Sequence, residues 1–274
     1  MTKTFQVTTT QSCNMTNKRC DLRATYSLVS GRTYVMVYRV YVDGAVRTDV
    51  RFVGSSGTDD KEDLPRVGER FHVPADFDIV EYFGRGPAEN YWDRNNGSHI
   101  GRYTSTAGDL YYPYVRPQEN GHHTDTRWLS VRNKEGAGLL FVANNNNEKK
   151  EALEFNVLRN TVEDFDDEEQ THLPRQWNNF EDCFHRPDRT CNHDENGAKN
   201  NRRRQHHVCD IVPRDFVEVC IDYRMMGIAG FDSWGDRPMP EYSLPSKRDY
   251  SYSFNIIPIR NKDEIDDKIT KAYP

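Results

Sequence analysis

The chain has 274 residues, with 37 Lys and Arg against 43 Asp and Glu, a net charge of -6. The length fits one large all-β domain or two small ones, and no basic excess points at nucleic acid or an anionic membrane. Hydrophobic residues make up only 35%, yet 15 Tyr and 13 Phe lift aromatics to 12%, the mixture expected of many strands with one wet face; no stretch nears the ~20 apolar residues that span a bilayer.

The opening "MTKTFQVTTTQSC" has no apolar h-region, so it is not a secretory signal and reads as an arbitrary start on a polar strand. Next, "LRATYSLV" places Leu22, Ala24, Tyr26 and Leu28 on one face. "RTYVMVYRVYVDGAVRTDVRFV" predicts two strands around Asp43-Gly44, a type I′ hairpin signal. Residues 163–210 break the rhythm: an acidic "EDFDDEEQ" and a polar run ending basic predict a surface excursion. "FVEVCIDY" then puts Val217, Val219, Ile221 and Tyr223 on one face, with Cys220 a plain core residue. "DYSYSFNIIPI" puts Tyr250, Tyr252, Phe254 and Ile256 on one face and Ser251, Ser253 and Asn255 on the other. No long 3.6-residue period occurs. The class is therefore all-β, one antiparallel sandwich domain over 1–274, each sheet dry on one side and wet on the other. Six cysteines are too few for the length to fix a redox compartment.

The excursion holds Cys183, His185, Cys191, His193, His206, His207 and Cys209. Thiolate and imidazole suit zinc, but the spacing is not a compact C-x2-C knuckle, so a solvated loop without metal is the expectation. Glu89 in "GPAENY" and Glu119 in "PQENG" each precede an Asn near a turn. Glycoside hydrolysis needs a carboxylate pair at a fixed gap, but turn chemistry, with side chains satisfying backbone amides at bends, is the simpler reading. Stretches dense in Tyr, Trp, Arg and Asn suit carbohydrate sites and subunit interfaces alike. No Walker loop, GxSxG elbow or HExxH is present.

Two longer blocks carry a family likeness. "YFGRGPAENYWDRNNGSHIGRYTSTAGDLYYPYVRPQENGHHTDTRWLSV" (82–131) and "IDYRMMGIAGFDSWGDRPMPEYSLP" (221–245) resemble the C-terminal, small-chain domain of glycoside hydrolase family 2 β-galactosidases. The order of G-x-G-P-x-E-N-Y-x-D-R, Y-x-x-P-Y-x-x-P-x-E-N-G and G-x-x-G-x-D-S-W carries the likeness, which runs from about residue 20 to residue 260.

The resemblance implies a β-supersandwich of the galactose-mutarotase-like kind. It implies, for the whole enzyme, hydrolysis of terminal β-D-galactosides with retention by two glutamates of a TIM barrel upstream, which this chain lacks. An R-A-P-x-D-N-D-like opening loop is also missing, so the domain reads as truncated at its N-terminal side and inactive alone. In relatives the tryptophan of the last block reaches the barrel's active-site mouth, where a sugar stacks on it; Trp234 matches that position. Gly227 and Gly230 then allow a tight backbone path, and Asp232 and Ser233 fix the loop. The implied partners are a β-galactoside, the barrel of the same chain and further copies in a homo-oligomer. No cofactor is expected in this domain, any divalent or monovalent metal belonging to the barrel. The compartment stays open between bacterial periplasm and cytoplasm. Two other readings are a free carbohydrate-binding module and a mutarotase-like epimerase, the latter drawing on His99, His122, His123 and Glu119.

Overall fold

The structure, a computed structural model, describes residues 6–14, 18–28, 31–55, 63–144, 152–165, 192–193, 199–200, 208–228, 230, 237–261, 264–271 and 273. Among them the strands are β1 (Gln6–Asn14), β2 (Arg19–Ser27), β3 (Thr33–Tyr41), β4 (Val46–Val53), β5 (Arg66–Pro74), β6 (Ile79–Gly86), β7 (His99–Thr106), β8 (His123–Thr126), β9 (Trp128–Arg132), β10 (Gly138–Ala143), β11 (Leu153–Leu158), β12 (Asn192–His193), β13 (Lys199–Asn200), β14 (Phe216–Met225) and β15 (Tyr250–Ile259). One short helix, α1 (Ile265–Lys268), follows.

The strands form an antiparallel sandwich. The larger sheet runs β1-β2-β3-β4-β15-β10-β9-β6-β7, and the smaller runs β5-β14-β11-β8. Between them lies a core of Val80, Tyr82, Leu129, Phe141, Phe155, Val157, Val219 and Phe254, all buried. All-β architecture is what the alternating sequence predicts, and the faces follow it: Val217, Val219 and Ile221 of β14 and Tyr252 and Phe254 of β15 enter this core. Cys220 is buried as expected.

Two expectations need correction. The hairpin at Asp43-Gly44 exists, but only Gly44 has positive φ, at 83°. A type I′ turn needs two such residues. Instead Tyr41 faces Ala45, with Tyr41 N donating to Ala45 O at 2.9 Å and Gly44 N to Tyr41 O at 3.0 Å. The result is a three-residue loop whose last member is left-handed.

The second correction concerns wet faces. On β14, Glu218, Cys220 and Asp222 are as buried as the apolar row, because β14 lies between β5 and β11 and its polar groups are paired there. Arg70 and His72 of β5 both reach Glu218 Oε2, at 2.6 and 3.0 Å. On β15 the outward Ser253 and Asn255 are buried too. Farther along the outer face, Ile257 and Ile259 join Trp128 and Leu140 in a second cluster roofed by Ile265 of α1 and by Tyr273.

Cys13 and Cys20 face each other across β1 and β2 and are joined as a disulfide. Of the Cys/His cluster in the excursion, Cys183, His185, Cys191, His206 and His207 lie outside the described residues, as does the His193 side chain; Cys209 is exposed. The excursion starts on the body of the domain: Phe165 is buried and Asp164 pairs with Arg214. Among the described residues no helix is long and apolar enough to cross a membrane.

Candidate functional site

At one end of the sandwich three segments meet: the turn after β6, the irregular stretch before β8, and the loop that leaves β14. Each is fixed by side chains that the two family-like blocks supply.

The turn after β6 is organised by Asn90, which is fully buried. Its amide nitrogen donates to Arg85 O at 3.2 Å and Ala88 O at 3.1 Å, and its oxygen accepts from Thr124 N at 3.1 Å and Thr124 Oγ1 at 2.6 Å. Its backbone N donates to His122 O at 2.7 Å. One side chain thus closes its own turn and bolts it to β8. Glu89 beside it crosses to the next segment: Oε2 accepts from Gly121 N at 2.7 Å, and Oε1 accepts from Arg94 at 3.1 Å and from the Tyr114 hydroxyl. Both oxygens of Glu89 are committed, which is the turn role read from its position before Asn.

Glu119 sits in a buried ionic network. Asn156 of β11 donates from Nδ2 to Glu119 Oε1 at 2.9 Å and to Asn120 O at 2.7 Å. That amide orientation makes Asn156 Oδ1 an acceptor, from Arg66 Nη2 at 2.8 Å and from His122 Nδ1 at 2.7 Å. The other ring nitrogen of His122 donates to Glu154 Oε2 at 3.0 Å, and Met225 N donates to that same oxygen at 2.8 Å. With acceptors on both nitrogens, His122 is an imidazolium. Burial works against that charge, but Glu154 outweighs it and raises the pKa. Arg66 also pairs with Asp222. Burial pushes the Asp222 and Glu119 carboxyls up, against the pull of Arg66.

This arrangement decides what the histidines can do. His122 is enclosed, with both nitrogens bound. His123 is equally buried, its nitrogens on Gly121 O and Pro87 O at 3.0 and 3.3 Å, and burial pulls its pKa down to about 4. His99 lies exposed at the start of β7. His122 shares Asn156 with Glu119, but its ring is enclosed and both of its nitrogens are already bound.

The loop is rooted on the first turn. As β14 ends, Met226 N donates to Pro65 O at 2.9 Å and Gly227 N to Tyr242 O at 2.8 Å, so the outgoing and returning strands are tied at their base. Gly227 is buried, and a Cβ there would stand 2.6 Å from Asp93 Oδ2 and 2.8 Å from Tyr242 Cβ. Close approach, not a left-handed φ, is what requires glycine. Tyr242 meets the Trp92 ring edge-on at 5.4 Å, and the Arg224 guanidinium lies over that same indole, 4.6 Å from its centroid. Leu244, buried, completes the return and accepts from Leu64 N at 2.8 Å. Of the described residues between these anchors, Ile228 is 41% and Met239 47% exposed, and Gly230 is exposed. Asp232, Ser233 and Trp234 lie outside the described residues.

The sequence reading missed Arg66, Glu154, Asn156 and Asp222. The available signal was a charge or amide inside an otherwise apolar strand, as in "LEFNVL" and "VCIDY", since such groups are buried only when paired.

Comparison with known proteins meets this geometry. Residues 1–256 match the family described as β-galactosidase small chain. A β-galactosidase of Priestia megaterium is 26% identical over 224 residues, 82% of this chain and 17% of that protein. One of Vibrio cholerae is 30% identical over 219 residues, 80% of this chain and 16% of that protein. The β-galactosidase BgaC of Bifidobacterium adolescentis is 35% identical over 117 residues, 42% of this chain and 11% of that protein. The chain thus spans about a sixth of the length of the first two relatives. An all-β sandwich carrying the E-N-Y and E-N-G turns on one end, matched over nearly its whole length, belongs to the β-galactosidase small-chain family.

Proposed function

We propose that this chain is the C-terminal supersandwich domain of a retaining β-galactosidase, and that it completes the substrate pocket of a catalytic barrel elsewhere in the longer enzyme by presenting Trp234. The observation that carries the proposal is the loop base. Gly227 and Tyr242 are clamped together on Trp92 and Asp93, which gives the loop a fixed base. A sugar-binding indole needs such a mount, because stacking depends on ring position. Asp232 and Ser233 would hold the loop tip through side-chain bonds to its backbone.

Catalysis belongs to the barrel. Glu89 and Glu119 are absorbed in structural bonds, and the domain needs no cofactor of its own. The chain alone is expected to leave a nitrophenyl β-galactoside untouched. Its remaining work is holding domains and, in an oligomer, subunits together.

The test is Trp234→Ala in the longer enzyme. Loss of a stacked ring, worth roughly 1 kcal/mol, should raise KM about fivefold with kcat little changed, if the contact is equal in ground and transition states. Unchanged kinetics together with a loss of ~3–5 kcal/mol of domain stability, the signature of a buried Trp, would show that Trp234 is a core residue.

A further inference from the structure

The two sheets are unequal. Among the described residues β5 is the edge of the smaller sheet and pairs only with β14. The larger sheet continues past it through β3, β2 and β1, and its apolar row is left uncovered: Leu22 is 40% and Val7 47% exposed. Where β2 and β3 face the free edge of β5 there is a groove of about 460 Å³. Its walls are Tyr26, Leu28, Tyr34, Met36, Tyr38 and Phe71.

One charged side chain is set into this groove. Glu69 of β5 is only 6% exposed. Its Oε2 accepts from the Tyr38 hydroxyl at 3.3 Å, and its Oε1 is buried with no hydrogen-bond partner. The neighbouring cation does not serve it: Arg70 is spent on Glu163, at 2.6 Å, and on Glu218, at 2.6 Å. A buried carboxylate oxygen without a donor is unfavourable by itself. It is favourable in a site whose occupant supplies the donor.

We infer that this groove receives an extended strand of polypeptide that adds to the free edge of β5 and lays a lysine or arginine side chain across the tyrosines onto Glu69. Each part of the groove answers one part of that occupant. The β5 edge offers main-chain groups for strand addition. The Tyr34 hydroxyl, donating to Gly68 O at 3.0 Å, stands in for one such bond. The aromatic walls cover an aliphatic stem and attract the cation at its end. Glu69 neutralises the charge. The exposed row on β1 and β2 continues the apolar floor beneath the added strand. A polypeptide is the occupant to expect, because the β5 edge calls for main-chain partners and Glu69 Oε1 for a donor beside them. The inference is independent of the role proposed for Trp234.

The test uses this chain with two capped heptapeptides of alternating threonine and valine, one with a central lysine and one with a central glutamate. Binding is followed by calorimetry and by hydrogen exchange of the β5 amides. The lysine peptide should bind and slow exchange along Arg66–Pro74, and the glutamate peptide should bind at least ~10-fold more weakly. Glu69→Gln should lower affinity for the lysine peptide by a similar factor, and Tyr38→Phe, which keeps the ring, should retain binding. Equal binding of the two peptides, or binding without protection of β5, would overturn the inference. So would butylammonium binding as tightly as the lysine peptide, which would make this a small-amine site, or lactose protecting the same amides, which would make it a sugar site. The peptide comparison on the unaltered chain stands even if a variant fails to fold.

Discussion

Replacing Glu69 by glutamine should stabilise the chain, and only where the carboxyl would be charged. Burial pushes the Glu69 carboxyl from its ordinary 4.5 up to about 7, with the Tyr38 hydroxyl pulling weakly the other way. In the unfolded chain it ionises near 4.5. Between these values the folded state holds a proton that the unfolded state has released, so stability falls as pH rises through the window. Below 4.5 both states are protonated and nothing is lost. Above about 7 the loss is complete, and at 1.36 kcal/mol per pH unit it amounts to about 3 kcal/mol. Glutamine has the same shape and does not titrate. Urea unfolding of both proteins at pH 5 and pH 8.5 isolates this group, because every other titration is common to the two. Relative to wild type, the variant should gain about 2–3 kcal/mol between those pH values. A difference that stays constant with pH, or one that favours wild type at pH 8.5, would refute the reasoning: Glu69 would then carry its charge with a partner in solution.

Other consequences follow from the same geometry. His123, held neutral with a pKa near 4, binds no proton in the fold where the unfolded chain begins to bind one at about 6.5, so its contribution is full above that pH and is lost as pH falls toward 4; His123→Gln should flatten that part of the stability profile measured by urea titration. Asn90→Ala removes two donors and an acceptor from buried backbone and from Thr124, and chemical denaturation should show a loss of about 2–4 kcal/mol. Gly227→Ala forces a methyl group against Asp93 and Tyr242; a loss of about 1–3 kcal/mol should come with a raised KM in the longer enzyme, since the loop base is displaced. Phe254→Ala, in the centre of the core, should lower stability by about 3–5 kcal/mol by the same assay without changing the exchange of the β5 edge.

What could be read from sequence divides along a physical line. Alternation with period 2 marks β2, β3, β4, β14 and β15 because it is a property of each strand alone. Pairing is not. Glu218 and Asp222 look like a wet face in "FVEVCIDY", and only the arrival of Arg66, Arg70 and His72 from β5 makes that face dry. Cys13 and Cys20 gave no disulfide signal because their meeting depends on the register of β1 against β2. Glu69 reads as an ordinary polar position of "RVGERFHV"; its burial follows from the overhang of one sheet past the other. The turns were more legible, since Glu89 and Asn90 act within a few residues and across one loop. The loop of Trp234 stands between the two cases. Its tryptophan was legible only through resemblance, whereas its mount is set by contacts distant in sequence: Gly227 is small because Asp93 and Tyr242 are already there. A glycine chosen for conformational freedom would tolerate being moved along the loop. One chosen for close packing fixes the loop's exit to a single point on the sandwich, beside Asp93 and Tyr242.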